Sequence, residues 1–129
     1  MTYELTPVGH VESPLTDREQ APKQGNEGAP AAWIAFEPHL ADALDGIEPG
    51  DRLIILTWLD RADRATLKVH PRSNPHTPLQ GVFITRSPDR PNPIGLHPVE
   101  VLAVEGTRIR VSDLEALDGT PVVDVKPEL

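Results

Sequence analysis

The segment Leu53-Ile54-Ile55-Leu56-Thr57-Trp58-Leu59 decides the fold class of this chain. Its first four residues are all apolar, and its β-branched residues favour extended backbone. Turn residues stand on both sides of it, at Gly50–Asp51 and at Asp60, which is typical of a strand. Because the first half has no polar face, we expect this strand to be central in its sheet.

Other segments on either side have the same character of short, β-branched runs between turn residues. They predict strands at Ala32–Phe36, Thr66–His70, Gly81–Thr85, Val99–Val104, Arg108–Val111 and Pro121–Val125. An earlier run, Leu5–Val11, contains Pro7, which cannot donate to a ladder, so we expect an edge strand there.

One helix is predicted. Pro38 stands where a first helical residue is tolerated, and Leu40, Ala43, Leu44 and Ile47 share a face at helical spacing. Gly46 and Pro49–Gly50 should end it. Seven or eight short strands with one helix predict a mainly β domain over residues 1–129, as a barrel or a curved sheet with long polar loops.

Composition limits the class of protein. The 129 residues include no Cys, which excludes disulfides and Cys-based zinc sites. No apolar run approaches the roughly 20 residues of a membrane span. The first residues carry no basic run, so we expect no signal peptide and a cytoplasmic protein.

Charge is unevenly distributed. The formal net charge is −8, which argues against a general nucleic-acid binder. The segment from Arg61 to Arg90, however, has six basic and two acidic residues and is therefore +4. It is either a solvated face or a local basic patch on an otherwise acidic protein.

Three loops are candidate sites. Thr85–Leu96 contains three prolines that stiffen it and present Arg86, Arg90 and Asn92, as an anion or base-edge site would require. A rigid connector between strands is the alternative. Asp113–Pro121 contains Asp118-Gly119, which on its own indicates a hairpin turn. Ala21–Gly25 lies in the long polar stretch 15–31, which is either functional or disordered.

Several familiar sites are absent. The sequence has no phosphate-binding loop, no dinucleotide-binding glycine motif and no nucleophile elbow. None of the five histidines (His10, His39, His70, His76 and His97) forms a closely spaced ligand pair, so we expect no metal. No pair of carboxylates stands out as an acid–base dyad, and the catalytic residues stay unknown.

Taken together, four blocks of this sequence resemble the TsaA/TrmO-like family. They are Val8–Pro14, Gly81–Pro88, the run Arg90-Pro91-Asn92-Pro93-Ile94-Gly95-Leu96, and Leu117–Pro127. They occur in the family's order and span nearly the whole chain. The resemblance implies a single antiparallel β-barrel that binds S-adenosylmethionine near a homodimer interface. It also implies methylation of N6 of threonylcarbamoyladenosine, next to the anticodon of tRNA.

The resemblance further implies, position by position, which residues contact the cofactor. These are Pro22, Lys23, Gln24, Leu59, Asp60, Arg86, Leu96, Ser112, Asp113, Leu114 and Glu115. If tRNA is the substrate, we expect it to dock on the segment from Arg61 to Arg90. The candidate contacts are Arg61, Arg64, Arg72, Arg90 and Asn92.

This sequence departs from the family pattern in two places. Leu59-Asp60 replaces a His-Gln pair of better-known members, and longer members continue into a C-terminal domain beyond the position of Leu129. Two alternatives to a tRNA methyltransferase therefore stay open. One is a non-enzymatic module that binds S-adenosylmethionine or a nucleotide, and the other is a methyltransferase of a small molecule.

Overall fold

Six strands form a closed antiparallel barrel in the computed structural model, which describes residues 1–129. Their order around the barrel is β1-β2-β7-β6-β3-β8, and β4 and β5 form a separate two-stranded ribbon. The bounds are β1 Gly9–Glu12, β2 Ala32–Phe36, β3 Arg52–Trp58, β4 Lys68–Val69, β5 Gln80–Gly81, β6 Ile94–Glu105, β7 Arg108–Val111 and β8 Pro121–Pro127. The prediction of a mainly β fold is confirmed.

The barrel interior is the hydrophobic core. Alternation along β3 turns Leu53, Ile55 and Thr57 inward, while Ile54 and Leu56 lie half-buried on the outer face. Burying a Val, Ile or Leu side chain stabilises the fold by about 1.5–3 kcal/mol. Fourteen buried side chains make up the hydrophobic core: Val11, Ala32, Ile34, Phe36, Leu44, Leu53, Ile55, Val99, Val101, Ile109, Val111, Leu114, Ala116 and Val122.

The longest strand, β6, connects the two halves of the barrel. Its first part pairs with β3 from Ile94 to Glu100, and its second part pairs with β7 from Val101 to Glu105. The register shifts between Val101 and Ala103, and such an irregularity bends a strand. The prediction that β3 is central is confirmed, since it lies between β6 and β8.

Three strand predictions need correction, and one is Thr66–His70, of which only Lys68–Val69 is a strand. The first strand begins at Gly9, beyond Pro7, and pairs with both β2 and β8, so it is not an edge. The segment Gly81–Thr85 is extended only at Gly81. Val82–Ile84 forms a 3-10 turn instead. The Val82 amide donates to the Leu67 carbonyl, just before β4, and the Thr85 amide then donates back to the Val82 carbonyl at 3.1 Å.

The predicted helix is present but is 3-10 rather than α. It covers Pro38–Leu44, and the Leu40 amide bonds to the Glu37 carbonyl, three residues back. Asp45 is already extended, and Gly46 has a φ of 94°, which leaves no room for a longer α-helix. Other 3-10 turns lie at Gly25–Glu27 and Pro71–Ser73.

The Asp118-Gly119 turn does not close a hairpin. β7 and β8 flank it in sequence but are not neighbours in the barrel. The turn instead docks on the start of the chain, where the Gly119 amide bonds to the Val11 carbonyl at 2.7 Å and the Ser13 amide donates to Asp118 Oδ1 at 3.0 Å. Its partner is therefore the end of β1, which a local turn pattern does not reveal.

Candidate functional site

A cleft of about 460 Å³ lies beside the start of β6. This volume falls in the range of about 300–1,000 Å³ that is common for small-molecule sites. Its walls come from segments that are distant in sequence: the polar loop 18–26, residues 59–62 after β3, the loop 86–90, the start of β6 at 94–98, and residues 113–117.

The long polar loop is anchored over the cleft at several points. Arg18 Nη2 donates to Asp89 Oδ2 at 3.3 Å, and Arg61 Nη1 donates to the Thr16 carbonyl at 2.9 Å. Gly25 packs so closely that a methyl group on its Cα would lie 1.9 Å from the Asp113 carbonyl oxygen. Only glycine fits at position 25, because the backbones of the two segments approach each other too closely for a side chain.

Backbone conformation at Asp113 directs the next side chains. Asp113 has a φ of 50°, in the left-handed region that few residues other than Gly adopt. After this turn Leu114 points into the core and is fully buried, while Glu115 lines the cleft. Such strained backbone is often found at functional sites.

A chain of hydrogen-bonded polar side chains leads from the cleft into the barrel interior. His97 Nδ1 lies 2.6 Å from Glu115 Oε1, and His97 Nε2 lies 2.7 Å from the Thr57 hydroxyl. His97 and Thr57 are both buried. The second carboxylate oxygen, Glu115 Oε2, is buried and has no hydrogen-bond partner.

Gly95 makes room for this chain. A methyl group on its Cα would lie 2.3 Å from Thr57 Oγ1 and 2.6 Å from His97 Nε2. No side chain fits there without moving the Thr57–His97 hydrogen bond. The glycine of the Pro-Ile-Gly run is therefore explained by packing, since it lies in β6 and not in a turn.

We expect Gly95→Ala to destabilise the protein by about 1–3 kcal/mol, because the methyl group overlaps two buried side chains. The same change at Gly81, where an added Cβ meets nothing within 4 Å, is the matched control. Thermal unfolding should show a clearly lower Tm for Gly95→Ala only. Equal Tm values for the two variants would contradict the packing argument.

The cleft brings together most of the residues expected to contact a cofactor. Pro22, Lys23, Gln24, Leu59, Asp60, Arg86, Leu96, Asp113 and Glu115 all line it. Two do not. Leu114 belongs to the core, and the Ser112 hydroxyl accepts a hydrogen bond from the Glu100 amide at 3.0 Å, which ties β7 to β6.

Only some of the residues expected to contact a substrate lie at the cleft. Arg61 and Arg90 line the cleft, whereas Arg64, Arg72 and Asn92 do not. Arg64 braces the stiff loop, because it donates to the Pro91 carbonyl at 2.7 Å and to Asn92 Oδ1 at 3.0 Å. It also stacks over Trp58 at 5.1 Å. Arg72 is paired with Glu27 in the polar loop.

The cleft is locally basic on an acidic protein. Its lining includes six basic side chains, Arg18, Lys23, Arg52, Arg61, Arg86 and Arg90, against four carboxylates, Asp60, Asp113, Glu115 and Glu128. Five of the six have a protein partner. Arg52, for example, donates to Glu128 at 2.6 Å, and this hydrogen bond raises the pKa of Arg52. Only Arg86 has neither a hydrogen bond nor an ion pair, which leaves its guanidinium available to a ligand.

Sequence reasoning missed His97 and Thr57 as parts of the site, and it named Gly25 only as the last residue of the candidate loop Ala21–Gly25. His97 was considered only as a metal ligand, and the structure contains no group of three or more side chains placed to hold a metal ion. A usable signal was the alternation of β6, in which Gly95, His97 and Val99 share the inward face. A histidine among inward residues needs polar partners, which points to buried groups nearby.

None of the helices in this structure has the length and apolar character that spanning a bilayer requires.

Comparison with known proteins agrees with this architecture. A protein of Archaeoglobus fulgidus named "S-adenosyl-L-methionine-binding protein" is 47% identical over 122 residues, which cover 95% of this chain and 86% of that protein. A "Probable S-adenosyl-L-methionine-binding protein" of Methanothermobacter thermautotrophicus is 44% identical over 127 residues, covering 98% of this chain and 90% of that protein.

The crystal structure of TrmO from Pseudomonas aeruginosa superposes on the whole of this chain with a TM-score of 0.78 and 31% identity. This chain spans 57% of that protein's length. The family model described as the tRNA-methyltransferase O N-terminal domain matches residues 10–129, which include all of the cleft-lining segments. The chain therefore belongs to the family of the tRNA-methyltransferase O N-terminal domain.

Proposed function

We propose that this protein binds S-adenosylmethionine in the cleft and transfers its methyl group to N6 of threonylcarbamoyladenosine in tRNA. The observation that carries the proposal is the cleft itself. It gathers cationic and anionic side chains from segments that are distant in sequence, in a chain closely similar to a named S-adenosylmethionine-binding protein. The name of the family supports tRNA as the class of substrate.

The charges of the cleft suit such a ligand. S-adenosylmethionine supplies an already activated methyl group, carries a sulfonium and an ammonium, and ends in a carboxylate. Arg86 is free to hold an anionic end through charge-assisted hydrogen bonds. The carboxylates Asp60, Asp113 and Glu115 are candidates for the cationic part.

The protein's main task in this reaction is alignment. Methyl transfer from a sulfonium is an in-line displacement, so the acceptor nitrogen, the methyl carbon and the sulfur must be collinear. A cleft whose walls are tied together by Arg18–Asp89 and Arg61–Thr16 can hold two reactants in fixed positions. The proton on the acceptor nitrogen must also be removed, by a protein group or by the substrate's own carboxylate.

A binding module without methyltransferase activity is the second candidate. Two observations favour it: the similar archaeal proteins are named for binding only, and the net charge of −8 opposes a nucleic-acid partner. A methyltransferase of a small molecule is a third candidate.

Calorimetric titration should show that S-adenosylmethionine binds with a micromolar Kd, because a concave site with several charge-assisted contacts supports affinity of that order. The absence of heat at high ligand concentration would contradict the whole proposal. Adenosine, which lacks both the amino acid part and the sulfonium, is the matched ligand control and should bind much more weakly.

The acceptor is tested separately. Transfer RNA from cells with and without this protein should differ in N6-methylated threonylcarbamoyladenosine, measured by mass spectrometry of the digested nucleosides. Restored methylation by purified protein and S-adenosylmethionine would establish the activity. Cofactor binding with no change in the modified nucleoside would favour the binding module.

We also propose a homodimer, and an exposed apolar surface supports it. The side chains of Leu67, Leu79, Phe83 and Ile84 form this surface on the β4–β5 ribbon and the turn after it. Phe83 and Ile84 are 79% and 74% exposed, which is unusual for large apolar residues. Because Arg86 follows two residues later, a second copy bound there would lie near the cleft.

Light scattering should give twice the chain mass of 14.1 kDa for the native protein. Phe83→Asp should reduce the measured mass to that of one chain, because it places a charge in a buried apolar contact. Tyr3→Asp, at another exposed aromatic residue outside this surface, should leave the dimer intact. A native protein that is monomeric at micromolar concentration would refute the proposal.

A further inference from the structure

The unpartnered oxygen of Glu115 is the starting point. Oε2 is the only buried side-chain oxygen or nitrogen in the structure that lacks a hydrogen-bond partner. Leaving a buried carboxylate oxygen unpaired is costly, so native proteins rarely do it without a functional reason. Oε2 also lies beside Gly25, whose added methyl group would be 3.0 Å away, and both residues line the cleft.

The other oxygen of the same carboxylate is fixed by His97. Since a carboxylate accepts hydrogen bonds, the short contact of 2.6 Å places the ring proton on Nδ1, which donates to Oε1. Nε2 faces the Thr57 hydroxyl at 2.7 Å. A hydroxyl can donate to a neutral ring or accept from a protonated one, so Thr57 satisfies the histidine in either state.

Packing holds this arrangement in place. Gly95 leaves space for the Thr57–His97 contact and for nothing larger. His97 is 3% exposed, so its ring is held by the barrel interior rather than by solvent. The orientation of the Glu115 carboxylate is therefore set from inside the barrel, with one oxygen occupied and the other left for a ligand.

We propose that His97 is a positioning residue, which holds Glu115 so that its free oxygen receives a cationic group of the ligand. This inference rests on the proposed function, because the cationic group is the sulfonium or the ammonium of S-adenosylmethionine. A cation desolvated against a buried carboxylate compensates the cost of the unpaired oxygen. Binding of the cation and compensation of the buried carboxylate are then the same event.

A purely structural role for His97 makes a different prediction. A histidine that only fills the core would, when replaced, loosen the cleft and weaken every ligand alike. A histidine that positions a carboxylate for a cation affects ligands in proportion to their positive charge. Three ligands separate the two roles: S-adenosylmethionine, S-adenosylhomocysteine, which keeps only the ammonium, and 5′-methylthioadenosine, which has neither cation.

The variants are His97→Leu, His97→Asn and Glu115→Gln, each compared with the native protein by calorimetry after its fold is checked by circular dichroism. His97→Leu should weaken S-adenosylmethionine binding by about tenfold or more, and 5′-methylthioadenosine by less than about twofold. Glu115→Gln should reproduce this pattern without changing the core. His97→Asn keeps an N–H near the position of Nδ1 and should restore most of the affinity.

The response of S-adenosylhomocysteine identifies the cation. A loss equal to that of S-adenosylmethionine assigns the ammonium to Glu115, and a loss for S-adenosylmethionine alone assigns the sulfonium. Equal losses for all three ligands, no loss for any, or no rescue by His97→Asn would overturn the inference. A native protein that binds none of the three would instead refute the proposed function, which keeps the two failures distinct.

Discussion

Replacing Arg86 with Glu is expected to weaken S-adenosylmethionine binding by roughly 100-fold or more. Arg86 is the one basic side chain of the cleft that no protein group engages, so its hydrogen bonds are available to an anionic end of the ligand. A charge-assisted hydrogen bond contributes about 1.5–3 kcal/mol, and reversal adds repulsion to its loss. Calorimetry of the native and variant proteins measures the change.

Lys68→Glu is the matched control for Arg86→Glu. Lys68 lies in the same basic segment, is exposed, has no ion pair and does not line the cleft. The same change in net charge there should leave the affinity within about twofold. A similar loss in both variants would assign the effect to overall charge, and an unchanged affinity in Arg86→Glu would remove Arg86 from the ligand site.

The strands that could be predicted from sequence are those in which apolar residues alternate or run together. Ala32–Phe36 and Arg108–Val111 have the predicted bounds, because their core-facing residues recur at every second position. The beginning of β6 was not predicted. Its Pro98 is opposite Ile54 in the ladder, and proline normally argues against a strand with neighbours on both sides.

The residues of the candidate site also divide into those that could be predicted from the sequence and those that could not. Arg86 could be named in advance from its proline-stiffened loop, and Glu115 only from the family resemblance; both line the cleft. The Thr57–His97–Glu115 chain could not, because the three residues come from β3, β6 and the segment after β7 and meet only when the barrel closes. Likewise, no local pattern indicates that Arg64 donates hydrogen bonds to Pro91 and Asn92, which are 27 and 28 residues away.

Because the Arg64 guanidinium already has protein partners, the basic segment from Arg61 to Arg90 should be tested at other residues. Reversing Arg64 or Arg72 would break contacts that hold the stiff loop or the polar loop, so a loss of activity would not report on tRNA. Lys68 is the more informative position, and Arg61 is used with it only at saturating cofactor, because Arg61 also ties the polar loop to the cleft. Lys68 has no partner, and Arg61 lies at the cleft with a single hydrogen bond to the Thr16 carbonyl.

We expect the double variant Arg61→Glu, Lys68→Glu to lose tRNA methylation by about 100-fold or more at physiological salt, measured at S-adenosylmethionine concentrations that saturate the variant. The two reversals take the segment 61–90 from +4 to zero, which removes its net attraction for a phosphate backbone. Phosphate contacts position a nucleic acid, so the loss should be in KM for tRNA more than in kcat.

A matched double variant decides whether position or total charge is responsible. Arg110→Glu, Lys126→Glu makes the same change in net charge at exposed residues outside both the segment and the cleft. Its methylation of tRNA should stay within a few-fold of the native rate. The dependence of the native rate on salt should also be steeper than that of Arg61→Glu, Lys68→Glu, by a log–log slope of about 0.7–0.9 for each phosphate contact removed. Equal losses in the two double variants would mean that tRNA responds to the charge of the whole protein and that the basic segment is only a solvated face.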